Sequence, residues 1–182
     1  MTVRIWLVER GLQGYLGLQL GKRAMTTQAL QHHAEHSGLG RWIGVGAVSG
    51  AISVLILHQT IAALLYASGV TPRMPYSMQP TSPLGVAQLW SLVFWGAVWG
   101  AVLAASLRKF DSSALVIAAT VFGAILPTLV AWTVVASLKG QPLLAGGVPK
   151  AMMVGLLVNS AWGLGTGAGL ALFGRPPRAR AA

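Results

Sequence analysis

The stretch SSALVIAATVFGAILPTLVAWTVVASL, residues 112–138, decides the fold. It contains no Lys, Arg, Asp or Glu, and as a helix rising about 1.5 Å per residue it is longer than the roughly 30 Å hydrocarbon core of a bilayer. Residues 42–72, 74–107 and 151–174 are free of these charged residues as well. We therefore predict an all-α membrane protein, a four-transmembrane-helix up-down bundle. The predicted spans are at about residues 42–67, 84–107, 113–138 and 149–173.

The composition supports a membrane location and favours lipid over nucleic acid as a binding partner. Hydrophobic residues make up 54% of the chain and charged residues only 9%, against roughly 25% charged in soluble domains. The net charge of +10 comes from basic residues that flank apolar spans, where they contact anionic lipid head groups. We therefore expect the lipid bilayer, with anionic lipid at the cytoplasmic face, as a partner, and no nucleic acid. The absence of Cys excludes disulfides, thiolate metal sites and a cysteine nucleophile.

The distribution of Lys and Arg predicts the orientation. Ten of the 13 precede the first span, lie in the turn between spans two and three, or follow span four, whereas Arg73, Lys139 and Lys150 lie on the other side. Because basic loops stay in the cytoplasm, both termini are predicted inside and the loops at residues 69–83 and 139–149 outside.

Three regions follow from this arrangement. Residues 1–40 form a cytoplasmic tail, residues 41–174 the transmembrane domain, and residues 175–182 a basic cytoplasmic tail. Met25 is an alternative start, in which case residues 1–24 are not translated. The first tail contains an HHAEH cluster with His32, His33 and His36. Its spacing would suit zinc or nickel on one helix face, but such clusters are commonly only solvated.

Small residues and one proline recur at four-residue spacing in the spans. Positions four apart share a helix face, so they form grooves that another backbone can approach closely. We interpret them as helix-packing positions, with a substrate groove as the alternative. They are Gly46, Gly50, Gly96, Gly100, Gly123, Pro127, Gly155, Gly163 and Gly167.

Few residues in the spans can carry chemistry. His58 and Gln59 interrupt an otherwise apolar helix, and a regular helix would direct His58 toward a packed neighbour with Ala51 and Ala62. Asn159 lies at a similar depth in span four, so we predict a His58–Asn159 hydrogen bond. A register-fixing contact and a ligand site both fit, which makes His58, Gln59 and Asn159 candidate ligand-binding residues.

A proline-rich segment follows the first span and carries a resemblance. The segment GVTPRMPYSMQPTSPLGV covers residues 69–86, and FWGAVWG covers residues 94–100. Together with His58 and Gln59, these residues match an HQ…TP…PY…PTxPLGV…FWGxxWG pattern. The chain thus resembles an uncharacterised group of small four-span proteins of the proteobacterial inner membrane. The resemblance implies that location, no activity, and a joint role for His58, Gln59 and the proline loop.

These observations leave two classes of function. The first is a non-enzymatic structural, accessory or small-ligand-binding bundle whose outer loop meets another membrane protein. The second is an oligomeric small transporter or channel subunit that assembles as a homo-oligomer through its glycine faces. We expect no enzyme, because the spans supply no nucleophile–base pair or set of metal ligands.

Overall fold

The structure is a computed structural model that describes residues 38–82 and 84–174, together with Met25 and Gln28. The chain divides into a unit of residues 1–40 and a unit of residues 41–182. The predicted metal candidates His32, His33 and His36 and the basic tail from residue 175 onward lie outside the described residues.

Four helices of the described chain are long and apolar enough to cross a membrane. This confirms the predicted all-α four-helix bundle. The last connection contains a tight segment, Leu143–Gly147, in which Leu144, Ala145 and Gly146 have positive φ. The four helices are α1 (Gly38–Ala67), α2 (Gln88–Leu107), α3 (Ser112–Leu138) and α4 (Pro149–Phe173).

Local chemistry sets the helix starts. Asp111 caps α3 by accepting a hydrogen bond from the Ala114 N–H at 3.1 Å. Pro149 opens α4, where a missing N–H is tolerated. Helix α2 begins at Gln88, later than the predicted residue 84, because a small hairpin precedes it. Strands β1 (Pro80–Thr81) and β2 (Val86–Ala87) pair antiparallel.

Both α1 and α3 contain a π-turn. The turn in α1 covers Val54–His58 and the turn in α3 covers Ala131–Val135. In α1 the Gln59 N–H reaches back to the Val54 carbonyl, so this turn holds one residue more than an α-turn. Residues beyond it are rotated by about 100° relative to a continuous α-helix. The predicted alignment of His58 with Ala51 assumed a continuous α-helix, which the π-turn interrupts.

The helices pack in an antiparallel ring. Gly46 and Gly50 of α1 lie against Gly100 and Gly96 of α2, respectively. In α3 and α4, Gly123 lies against Gly163, and Ala119 against Gly167. Ser49 of α1 lies against Gly169 of α4. The α2–α3 contact includes Trp99 and Phe122, whose rings meet edge to face at 6.0 Å. The most deeply buried apolar side chains include Trp42, Val54, Leu103, Leu115, Trp162 and Leu170.

Candidate functional site

The loop between α1 and α2, residues 68–87, folds back onto the end of α1. We name it the outer cap, after the side of the membrane on which the charge distribution predicts it. Its central contact is Tyr76, whose N–H donates to Gln59 Oε1 at 2.7 Å and whose hydroxyl donates to the Leu55 carbonyl at 2.9 Å. Gln59 is only 3% exposed. A direct hydrogen bond thus joins Gln59 of α1 to the proline loop.

Tyr76 adopts an unusual backbone conformation. Its φ is +52°, in the left-handed region that non-glycine residues rarely occupy and that costs roughly 1–2 kcal/mol. Such residues persist only where the surroundings fix them, and they concentrate at functional sites. The two hydrogen bonds to α1 supply that constraint here.

Further contacts hold the outer cap in one arrangement. Lys150 Nζ, at the start of α4, donates to the Gly69 carbonyl at 3.2 Å. Within the hairpin the Thr81 hydroxyl donates to the Val86 carbonyl at 2.9 Å. The outer cap is thus tied to both α1 and α4.

Apolar side chains are nevertheless exposed on the outer cap. Met74 is 64% exposed, Met78 58% and Leu84 84%. The outer cap therefore combines a fixed backbone with an apolar, adaptable surface.

The predicted hydrogen bond between His58 and Asn159 is wrong. Asn159 Nδ2 donates to Thr128 Oγ1 of α3 at 2.9 Å, and His58 Nδ1 is buried without a hydrogen-bond partner. The reason is that Asn159 lies on the face of α4 that packs against Thr128 and Gly123 of α3, and α1 contacts α4 on another face, at Gly165 and Gly169. The three candidates do not form one site: Gln59 of α1 contacts the outer cap, and Asn159 lies in the α3–α4 seam.

The glycine positions bring helix backbones together. A Cβ added at Gly50 or Gly100 would meet a carbonyl oxygen of the facing helix, and so would one at Gly123 or Gly163. A Cβ at Gly155 would lie 3.0 Å from Trp132 Nε1. Pro127 is half-buried in α3, shortly before its π-turn. These seams are filled by protein atoms.

Hydrogen bonds to the backbone join α1 to α4 and α2. Trp162 Nε1 donates to the Gly50 carbonyl at 2.9 Å, and Ser53 Oγ donates to the Trp162 carbonyl at 2.7 Å. Trp42 Nε1 donates to the Ala104 carbonyl at 2.6 Å. Sequence reasoning missed these residues, because an isolated Trp or Ser gives no sign of its partner.

A second feature is an open groove of about 690 Å³ on the flank of the bundle, between α1 and α4. We name it the lateral groove. Val48, Ile52 and Ile56 of α1 are among its lining residues, and Gly165 and Gly169 line it from α4. Arg41 and Phe173 lie at one end. Sequence reasoning missed it too, although Ser49 and Ser53, and Gly165 and Gly169, show the same four-residue spacing as the predicted packing positions.

The fold and these two surfaces define a multi-pass helical membrane protein. Comparison with protein-family models, with curated proteins and with solved structures found no match. Among the described residues no group of three His, Cys, Asp or Glu side chains is arranged to hold a metal ion.

Proposed function

We propose that the protein is a non-enzymatic accessory bundle of the bacterial inner membrane, whose outer cap docks against another membrane protein. The observation that carries this proposal is the fixed outer cap. Tyr76 and Lys150 tie it to two helices, while Met74, Met78 and Leu84 stay exposed.

A fixed, apolar surface suits binding. A loop that is already ordered loses less conformational entropy when it binds than a mobile loop does. Methionine side chains are flexible and polarisable, so they adapt to irregular partner surfaces. Exposed apolar groups clustered on one loop are typical of interaction sites.

Three polar side chains in the helices are engaged in hydrogen bonds within the bundle, which favours a binding role over catalysis. Gln59 accepts from Tyr76, Asn159 donates to Thr128, and Ser53 donates to Trp162. Groups engaged in this way stabilise the bundle and are not poised to act on a substrate.

The proposal is tested by native mass spectrometry of the protein released from its own membranes with mild detergent. We expect a monomer or dimer carrying the mass of a second membrane protein. The double variant Met74→Ser with Met78→Ser should lose that mass, because it removes two of the three exposed apolar side chains and none of the hydrogen bonds that hold the outer cap.

Met153→Ser is the matched control, since Met153 is 45% exposed on α4 and lies outside the outer cap. This variant should keep the partner. A homo-oligomer of more than two chains, unchanged by the double variant, would contradict the proposal and support the transporter or channel subunit instead.

A further inference from the structure

The lateral groove has one charged end. Arg41 is exposed, and one of its guanidinium N–H groups donates to the Phe173 carbonyl at 3.3 Å. Guanidinium carries five N–H donors, so most of them remain available to an anion. The one carboxylate side chain in the described part of the chain, Asp111, accepts a hydrogen bond at the start of α3. The groove end therefore presents a positive charge together with free donors.

The rest of the groove is mostly apolar, with Ser49 and Ser53 as its polar lining residues, and it is open to its side. Val48 is 59% exposed, Ile52 48% and Ile56 57%. Gly165 and Gly169 of α4 let Ser53 and Ser49 of α1 approach closely, so the groove lies over a tight contact between the two helices. From Arg41 to Leu57 the lining extends about 24 Å along α1 at roughly 1.5 Å per residue. One leaflet contributes about 15 Å of hydrocarbon, so this length covers an acyl chain and its head group.

We propose that the lateral groove binds one anionic phospholipid from the leaflet on the Arg41 side of the bundle. The acyl chain lies along Val48, Ile52 and Ile56, and the phosphate group accepts hydrogen bonds from Arg41. Planar guanidinium donates two parallel hydrogen bonds to phosphate oxygens, which makes arginine a better phosphate ligand than an isolated point charge. In the proposed orientation this leaflet is the cytoplasmic one, where anionic lipids attract basic residues.

This inference goes beyond the accessory role of the outer cap. The two surfaces share no residue, although Tyr76 of the outer cap bonds to the Leu55 carbonyl next to the groove residue Ile56. A variant that loses only lipid binding would not contradict the proposed docking of the outer cap, and a variant that loses only the protein partner would not contradict the proposed lipid site.

The test uses the full chain in nanodiscs of equal parts phosphatidylglycerol and phosphatidylcholine, ejected and weighed by native mass spectrometry. We expect one phosphatidylglycerol retained per chain. Arg41→Gln should lower its preference over phosphatidylcholine about fivefold, the equivalent of about 1 kcal/mol for one basic residue at a membrane surface. Arg41→Lys should keep only part of the preference, because an ammonium group keeps the charge but not the paired hydrogen bonds. Arg108→Gln, at an exposed arginine outside the groove, should not change it.

A second variant fills the groove without touching Arg41. Gly44 lines the groove, and no atom lies within 4 Å of a Cβ added there. Gly44→Phe should therefore fold normally and release the lipid. Gly40→Phe is the control, because Gly40 is equally open and does not line the groove.

Two outcomes would overturn the proposal. Retention of both lipids alike, with Arg41→Gln and Gly44→Phe indistinguishable from the natural chain, would mean that only annular lipid is present. A lipid-free dimer that Gly44→Phe separates and Gly40→Phe does not would make a second copy the occupant.

Discussion

At the scale of single residues, Gln59 stands out twice: the sequence marks it as a rare polar residue in a span, and the structure shows it holding the outer cap through Tyr76. Gln59→Leu removes the acceptor of the Tyr76 N–H, a bond of 2.7 Å, and leaves that donor unpaired. We expect the folded-back form of the outer cap to lose about 1–3 kcal/mol of stability relative to an open form, in which the loop is detached from α1. Tryptic cleavage at Arg73, which is exposed on the outer cap, should accelerate by about 5- to 150-fold as the open population rises.

Gln141→Leu is the control for this experiment, because Gln141 is exposed and its side chain lies outside the outer cap. Equal cleavage rates in both variants would show that the Gln59–Tyr76 bond does not hold the loop. Tyr76→Phe separates the two bonds of Tyr76, since it removes the hydroxyl contact with Leu55 and keeps the N–H contact with Gln59.

Replacing the adjacent residue, His58, should not destabilise the protein, in contrast to replacing Gln59. Its Nδ1 is buried without a partner, and a buried polar atom without a hydrogen bond costs about 1–3 kcal/mol in mutational data. His58→Leu should therefore leave the free energy of unfolding in detergent unchanged or raise it by about 1 kcal/mol. A clear loss of stability would show that His58 makes a contact that the protein needs.

The residue scale is also where prediction from sequence was least complete. His58, Gln59 and Asn159 were recognisable as candidates because polar groups are rare in the spans. Their partners were not recognisable. The π-turn at Val54–His58 alters the helical register, and Tyr76 reaches Gln59 only through a left-handed conformation that no local pattern announces.

At the scale of the helices, packing depends on the missing side chains of glycine. Gly50→Ala would drive a methyl group into the Gly96 carbonyl of α2. Forcing atoms into a filled seam typically costs about 1–3 kcal/mol, so we expect a loss of that size in the free energy of unfolding. Reversible unfolding in detergent, followed by tryptophan fluorescence, measures it.

Gly44→Ala is the matched control in the same helix. Nothing lies within 4 Å of the added Cβ, so alanine should be neutral or should stabilise the helix by about 0.5–1 kcal/mol. If both variants lost stability equally, the effect would come from helix propensity and not from the α1–α2 seam.

The helices were also the best predicted level of structure. Windows without charge are long enough to span a bilayer, and backbone hydrogen bonding in lipid then requires helices. The hairpin of residues 80–87 was missed, because Pro80 and Gly85 indicate turns without specifying which short segments pair. The lateral groove was missed for a related reason: it arises from two helices together, and neither sequence segment shows it alone.

At the scale of the whole molecule, the charge distribution predicts the orientation in the membrane, and cysteine labelling tests it directly. The natural chain has no Cys, so single cysteines can be introduced without removing others. Ser82 is exposed in the outer cap, and Ser113 is exposed near the α2–α3 turn beside Arg108 and Lys109. With the basic turn inside, a membrane-impermeant maleimide should label Ser82→Cys in intact cells and leave Ser113→Cys unlabelled until the cells are permeabilised.

Because the four helices form an antiparallel ring, labelling at residues 82 and 113 is enough to determine the orientation of the whole bundle. Because every neighbouring helix runs in the opposite direction, one loop fixes the side of all the others. The reverse labelling pattern would place Arg41 and the lateral groove in the outer leaflet and the outer cap in the cytoplasm. Labelling of both variants in intact cells would instead mean two populations of opposite orientation, as expected if a charge difference of ten to three did not decide the topology.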